Sequence, residues 1–177
     1  MNTIQLTDEY LMLDVRRGNL DALGPLFEKY HVELFNYFLR RCRNRELSED
    51  LTQNVFQRII KYRSSFRDDS VFKPWMYKIA QNIMYSHYRK LVPEDEFKDT
   101  EQLADSPEGS EQVLQDKLLF EALSQLPEQD RELIELSRFQ GLKYAEISEI
   151  TGNSVSAIKV KIHRAIGKLR ELYFQTV

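Results

Sequence analysis

The sequence predicts an all-α fold of two small helical domains joined by an acidic, flexible linker. The 177 residues include only 6 glycines and 5 prolines, which disfavours a turn-rich β fold. Long stretches rich in Leu, Ile, Glu, Lys, Arg and Gln favour helices. A polar segment with two prolines, at 92–112, interrupts the apolar pattern and cannot bury enough surface to fold alone. The predicted domains are therefore 1–91 and 113–177.

The charge of the chain is concentrated in the predicted linker. The net charge is −3, yet residues 91–112 hold eight acids and one base. The rest of the chain carries 24 bases against 20 acids. Outside the linker the chain is therefore mildly basic, which is compatible with a nucleic-acid partner.

Several classes of function are disfavoured by composition. The lone Cys42 allows no intramolecular disulfide and fits a reducing compartment. No signal peptide is visible, and no window approaches the roughly 18 apolar residues of a spanning helix. His31, His87 and His163 have no metal-ligand or nucleophile constellation around them. We expect a soluble cytoplasmic protein with no membrane insertion, no catalytic residue, no metal and no cofactor.

The predicted N-terminal domain consists of amphipathic helices. Apolar residues follow helical spacing through 21–39 and again through 51–62. Ser48 is a plausible N-cap of the second of these helices, with two acids after it. Residues 64–69 break the pattern, and Pro74 is expected at the start of a third helix that extends to Lys90.

The predicted C-terminal domain begins with two helices. The first spans 114–126, and Pro127, followed by acidic residues, marks the start of the second. Its apolar stripe continues to Gly141, which is expected to end the helix.

A helix-turn-helix is predicted after Gly141. A short helix at 144–150 is followed by Thr151-Gly152-Asn153, in which Gly152 and Asn153 tolerate positive φ. Ser154 can cap a second helix. A short helix, a glycine-containing turn and a capped helix form the arrangement that places a recognition helix in the major groove of DNA.

Helical geometry divides the second helix into two faces. One arc is apolar and is expected to face the core: Val155, Ile158, Ile162, Ala165, Ile166 and Leu169. The opposite arc is small or basic: Ser156, Ala157, Val160, Lys161, Arg164 and Lys168, with His163 on a flank. Lys159 falls nearer the core edge. No acid occurs from 154 to 170, which suits contacts with phosphates and base edges, although a basic solvated helix of a bundle is the simpler alternative.

A segment of interleaved aromatic and basic residues occupies 63–90. Such a composition can stack and hydrogen-bond flipped bases. Phe72, Trp75 and Ile79 are more simply interpreted as core residues, whereas Phe66 lies in the loop, where burial is less assured. Asn82 offers both a donor and an acceptor to a base edge.

Two stretches resemble a known family. DLTQNVFQRIIKY (50–62) and FRDDSVFKPWMYKIAQN (66–82) resemble the second conserved region of bacterial RNA polymerase sigma factors of the extracytoplasmic-function class. LSQLPEQDRELIELSRFQGLKYAEISEITGNSVSAIKVKIHRAIGKLR (123–170) resembles their fourth region. The two regions have the family's order and linker length.

The resemblance implies promoter-directed transcription initiation, with core RNA polymerase, promoter DNA and an anti-sigma factor as partners. It implies contacts with the clamp helices of the largest polymerase subunit by Asp50, Gln53, Asn54, Gln57 and Arg58. It implies capture of a melted promoter element by the 66–72 loop and α-helical residues beyond it: Phe66, Arg67, Ser70, Asn82, Arg89 and Lys90. It implies recognition of an upstream element by Ser154, Ser156, Ala157, Lys159, Val160, Lys161, His163 and Arg164.

Some positions depart from the family pattern, and other functions stay open. Asn54, Gln81, Ser86 and Val160 differ from the residues usual in the family. A dimeric repressor or activator would need a palindromic site. A nucleic-acid-processing enzyme would need a helix-borne carboxylate set, whereas the acids cluster in the linker. The linker could lie in a basic polymerase channel, or shield the basic faces of the free protein.

Overall fold

The computed structural model describes residues 6–91 and 111–175 and confirms the all-α prediction within them. The α-helices in these ranges are α1 (Asp8–Arg17), α2 (Leu23–Cys42), α3 (Arg45–Tyr62), α4 (Phe72–Leu91), α5 (Glu111–Ser124), α6 (Glu128–Ile134), α7 (Tyr144–Thr151) and α8 (Val155–Gln175). Short 3-10 turns cover Leu20–Ala22 and Arg63–Ser65, and a π turn covers Glu135–Phe139. No strand occurs in the described ranges.

The chain divides into two compact units. The first comprises Met1–Phe38 and Glu46–Asp99, and the second comprises Leu39–Arg45 and Thr100–Val177. Most of the linker prediction, 92–110, lies outside the described residues, and its last two residues belong to α5. The last residues of α2, from Leu39 onward, belong to the second unit. The apolar pattern of a single helix cannot predict this, because it depends on residues distant in sequence.

Four α-helices surround the core of the first unit. Its largest fully buried side chains are Met12, Leu26, Leu34, Tyr37, Phe38, Ile59, Phe66, Phe72, Met76, Tyr77 and Met84. Helix α1, which was not predicted, contributes to this core with Leu11, Met12 and Val15. The Thr7 hydroxyl caps it by accepting the backbone N–H of Tyr10 at 3.2 Å.

Two predicted helix starts in the first unit are corrected. Helix α3 begins at Arg45, so Ser48 is not an N-cap but a fully buried residue, and its carbonyl oxygen accepts the Thr52 hydroxyl at 2.7 Å. Helix α4 begins at Phe72, which makes Pro74 the third helical residue. Proline is compatible with that position because the first-turn N–H groups have no partner within the helix.

The second unit packs α5, α6 and α7 against α8. Its core includes Leu123, Leu126, Ile134 and Ala165, with Leu119, Ile166, Leu169 and Leu172 packed against them. Pro127 immediately precedes α6, as predicted. A π turn then carries the chain to Gly141, whose φ of 66° ends the helical run at the expected residue.

Candidate DNA and polymerase interfaces

The turn between α7 and α8 has the predicted chemistry. Gly152 adopts a φ of 76°, and its N–H donates to the carbonyl oxygen of Ser148 at 2.9 Å. The Ser148 hydroxyl donates to the Asn153 carbonyl oxygen at 2.7 Å, and Thr151 donates to Ile147 at 2.8 Å. These bonds fix the angle at which α8 leaves α7, because they satisfy the polar groups of the turn locally.

The first turn of α8 is capped as predicted, but the buried face of the helix begins at Ile158 and not at Val155. The Ser154 hydroxyl accepts the backbone N–H of Ala157 at 3.2 Å. Ile158, Ile162 and Ala165 are buried, and Ile166 and Leu169 pack against the core, which confirms most of the inward arc. Val155 is 44% exposed, so its predicted core position is wrong.

A shallow groove runs along the exposed face of α8. It is lined by Ser156, Lys159, Val160, His163 and Arg164. Lys159 is exposed, so its expected position at the core edge is wrong. Its neighbour one turn earlier, Val155, is itself outside the core.

Ala157 and Lys161, expected on the outward arc, lie on a flank of the same helix, whereas His163, expected on a flank, lines the groove. Ala157 and Lys161 are half-buried, and the Lys161 ammonium donates to the Asn153 side-chain oxygen at 3.2 Å. The first acid along α8 is Glu171, near its C-terminal end. The exposed face of the first four turns therefore has positive potential, which suits a polyanion.

A second polar face lies on α4. Asn82, Arg89 and Lys90 are all exposed. Tyr85 is partly exposed and falls between Asn82 and Arg89 in helical spacing. The Ser86 hydroxyl donates to the backbone carbonyl of Asn82 at 2.8 Å, so the Asn82 side chain is not used in that bond.

The 66–72 loop precedes α4, and its first residue corrects the sequence-based expectation. The Phe66 side chain is 1% exposed and packs edge-on against Trp75, with ring centroids 5.2 Å apart. Its ring is therefore part of the core, where burial was not expected. Arg67 is exposed and pairs with Asp69 at 3.2 Å, while Ser70 is half-buried.

Helix α3 presents a polar face opposite its buried one. Leu51, Val55 and Ile59 are among its buried residues. The predicted polymerase contacts all lie on the other side: Asp50, Gln53 and Gln57 exposed, Asn54 and Arg58 half-buried. Spacings of three and four residues place these side chains in one stripe.

Helix α1 contains polar residues that the sequence interpretation missed. Arg16 donates to the carbonyl oxygen of Phe66 at 2.8 Å and to the Asp68 carboxylate at 2.5 Å. Glu9 accepts the backbone N–H of Phe72 at 3.1 Å. The helix itself could have been found from Thr7, the Leu11–Val15 spacing and Gly18, but the loop it contacts could not.

Metal and membrane sites are not found in the described parts of the chain. Among residues 6–91 and 111–175, no group of three His, Cys, Asp or Glu side chains could hold a metal ion. In the same ranges, no helix is both long and apolar enough to cross a membrane.

The two units and their exposed faces define a helical DNA-binding protein with a helix-turn-helix. Two family models match the chain: "Sigma-70 region 2" over residues 26–92 and "Sigma-70, region 4" over residues 116–169. The RNA polymerase sigma factor YlaC of Bacillus subtilis (strain 168) is 32% identical over 158 residues, 85% of this chain and 91% of that protein. CarQ of Myxococcus xanthus, also an RNA polymerase sigma factor, is 33% identical over 161 residues, 89% of this chain and 92% of that protein.

The chain belongs to the sigma-70 family of RNA polymerase sigma factors, in the extracytoplasmic-function class. It binds core RNA polymerase and directs promoter recognition, promoter melting and transcription initiation. The family is not known as a catalytic one.

Solved structures share the fold. CnrH, solved in complex with the cytosolic domain of CnrY, superposes with a TM-score of 0.77 at 24% identity, covering 96% of this chain and 99% of that one. The sigma factor RpoE of Bartonella quintana, solved with the anti-sigma factor NepR, gives 0.73 at 24% identity, covering 86% of this chain and 96% of that one.

Proposed function

We propose that three surfaces of this sigma factor have separate binding functions. The α8 groove reads the upstream promoter element, the 66–72 loop and α4 capture the melted element, and the polar face of α3 binds core polymerase. The observation that carries this assignment is the exposure pattern: all three surfaces are polar and accessible, while the opposite faces of the same helices form the cores.

The α8 groove has the composition of a major-groove reader. Lys159 and Arg164 can contact phosphates or guanine edges, and Ser156 is small enough to let the helix approach the bases. Ser154 and Ala157 lie at the N-terminal end of α8, where the helix dipole favours a phosphate. His163 completes the groove, and Lys161 borders it from the flank.

The melted element is assigned to α4 and its preceding loop. Asn82 carries a donor and an acceptor on an exposed helical face, so it can read one base edge. Arg67 and Ser70 provide polar contacts from the loop, and Arg89 and Lys90 provide positive charge further along. The contribution of Phe66 is to support the loop from the core side.

Substitution of Asn82 tests the base-capture assignment. With a promoter selected from a random DNA library by core polymerase and this chain, Asn82→Ala should lower open-complex formation by about tenfold. Affinity for core polymerase should be unchanged, because Asn82 lies on α4 and not in the α3 stripe assigned to polymerase binding. Ser86→Ala, one turn away, is the matched control. Unaltered open-complex formation by Asn82→Ala would show that another residue reads the base.

Polymerase binding is assigned to the α3 stripe, with the clamp helices of the largest subunit as its partner. The double substitution Gln53→Ala and Gln57→Ala removes two exposed amides and should weaken core binding by about tenfold, measured by fluorescence anisotropy of labelled protein. Gln175→Ala, an exposed glutamine at the end of α8, should leave binding unaltered. Equal core affinity in all three proteins would remove α3 from the interface.

The proposed function also includes two domains, a linker and a protein regulator. Domains at 1–91 and 113–177 are proposed to be joined by the acidic linker at 92–112, which limited proteolysis should cut first. The chain itself is proposed to catalyse no reaction and to act in the cytoplasm, where RNA polymerase transcribes. An anti-sigma factor that covers the α3 and α8 surfaces is the proposed regulator.

Promoter-directed initiation separates this function from the dimeric-repressor alternative. Core polymerase with this chain should start transcription at a defined site on the selected promoter, and core polymerase alone should not. The chain should be monomeric in sedimentation experiments. Specific binding to a palindromic duplex by a dimer without polymerase would favour a conventional repressor or activator.

A further inference from the structure

Helix α1 lies before the segment matched by the region 2 model, yet it contacts both ends of the 66–72 loop. We propose that α1 sets the conformation of this loop, and that Arg16 and Glu9 are positioning residues for selection of the unstacked promoter base. This inference rests on the proposed role of the loop and Asn82 in base capture. It adds a specificity determinant outside the proposed DNA-contacting residues.

Arg16 holds the beginning of the loop with two hydrogen bonds. One guanidinium nitrogen donates to the backbone carbonyl of Phe66 at 2.8 Å, and the other donates to the Asp68 carboxylate at 2.5 Å. The planar guanidinium presents its donors in a fixed fork, so it restrains both the backbone of residue 66 and the side chain two residues later. Its own side chain is 28% exposed, which limits competition from water.

Glu9 holds the end of the loop. Its carboxylate accepts the backbone N–H of Phe72, the first residue of α4, at 3.1 Å. That N–H belongs to the first helical turn, where no backbone acceptor is available within the helix. A carboxylate at this end also interacts favourably with the helix dipole. Glu9, a residue of α1, thus caps the N-terminal end of α4.

Helix α1 is itself fixed to α2. The Asp8 carboxylate accepts the Tyr30 hydroxyl at 2.5 Å and the Lys29 ammonium at 2.7 Å. Burial and the neighbouring Asp8 carboxylate raise the pKa of Tyr30, which keeps its hydroxyl a donor at every physiological pH. The Tyr30 ring also packs against Phe72, with centroids 5.5 Å apart. Helix α1, which carries both positioning residues, is therefore anchored to α2.

The loop needs this support because few of its own side chains anchor it. Phe66 and Phe72 are buried at its two ends, whereas Arg67, Asp68 and Asp69 are exposed. An unrestrained loop would lose backbone entropy on binding a base. Fixing both ends before binding lowers that cost and holds Arg67 and Ser70 at a defined distance from Asn82.

The test measures base selectivity, which a general loss of stability would not alter. Wild-type and Arg16→Ala proteins, each with core polymerase, select promoters from one random double-stranded library by run-off transcription. In the melted element, Arg16→Ala should reduce the ratio of transcription with the preferred base to transcription with other bases by about tenfold. The base preference in the upstream element and the affinity for core polymerase should not change. Arg17→Ala, the adjacent exposed arginine, is the matched control and should select like wild type.

The Glu9 variants keep the proposal testable if Arg16→Ala does not fold. Glu9→Gln retains an oxygen that can accept the Phe72 N–H and should keep wild-type selectivity, whereas Glu9→Ala should lose part of it. If Arg16→Ala and Glu9→Ala lower transcription equally for all bases, or leave selectivity intact, the positioning role is overturned. Failure of the wild-type protein to select any promoter would instead overturn the proposed function.

Discussion

The Ser154 hydroxyl accepts the backbone N–H of Ala157 at 3.2 Å, where α8 begins and where its groove faces outward. Capping and DNA binding can therefore be separated at one position. Ser154→Ala removes the acceptor and should lower the free energy of unfolding by about 1 kcal/mol. Ser154→Asp retains a capping oxygen but brings a negative charge to the DNA.

Chemical denaturation and promoter binding distinguish the two variants of Ser154. Ser154→Asp should unfold like wild type, yet bind the upstream element about tenfold more weakly because its carboxylate repels phosphates. If the aspartate variant binds promoter as well as wild type, the start of α8 does not face DNA.

The basic residues of α8 should determine the salt dependence of upstream-element binding. About four phosphate contacts predict a slope near −3.6 in a plot of log affinity against log salt concentration. Lys159→Ala and Arg164→Ala should each reduce the magnitude of the slope by about 0.9 if the residue contacts a phosphate. Lys117→Ala on α5 removes the same charge away from the groove and should leave the slope unaltered. A uniform effect of all three substitutions would indicate net charge alone.

Val160 should contribute base selectivity without stabilising the fold. It is 50% exposed in the α8 groove, where an apolar side chain can contact the methyl group of thymine. Val160→Ser should therefore relax a thymine preference at one upstream position by about fivefold, and the free energy of unfolding should stay within about 0.5 kcal/mol of wild type. Library selection with both proteins measures this change. Identical base preferences would place Val160 outside the base contacts.

Phe66 should be a stability residue. Its ring is fully buried against Phe72 and Trp75, so Phe66→Ala creates a cavity and should cost about 3–5 kcal/mol of unfolding free energy. Phe174→Ala, which truncates a ring that is 69% exposed, should cost less than about 0.5 kcal/mol. Thermal unfolding by circular dichroism compares the two. A small cost for Phe66→Ala would mean that the ring is free to leave the core and meet a base.

Local sequence patterns predicted the helical class, the helix-turn-helix and most of the inward faces. Helical spacing and turn residues are local properties, so Gly152, Ser154 and the buried arc from Ile158 to Ala165 could be predicted from neighbouring residues alone. The family resemblance came from contiguous segments and was likewise independent of packing.

The burial of individual side chains and the contacts of α1 with the 66–72 loop could not be predicted from local patterns, because both depend on tertiary packing. Phe66 proved to be core and Ser48 an interior residue, because burial depends on partners distant in sequence. Lys159 proved to be exposed, as did Val155 one turn earlier, because the core contacts a narrower face of α8 than the helical projection indicates. Arg16 meets Phe66 across 50 residues, and no local pattern encodes a contact between a side chain and a backbone carbonyl at that separation.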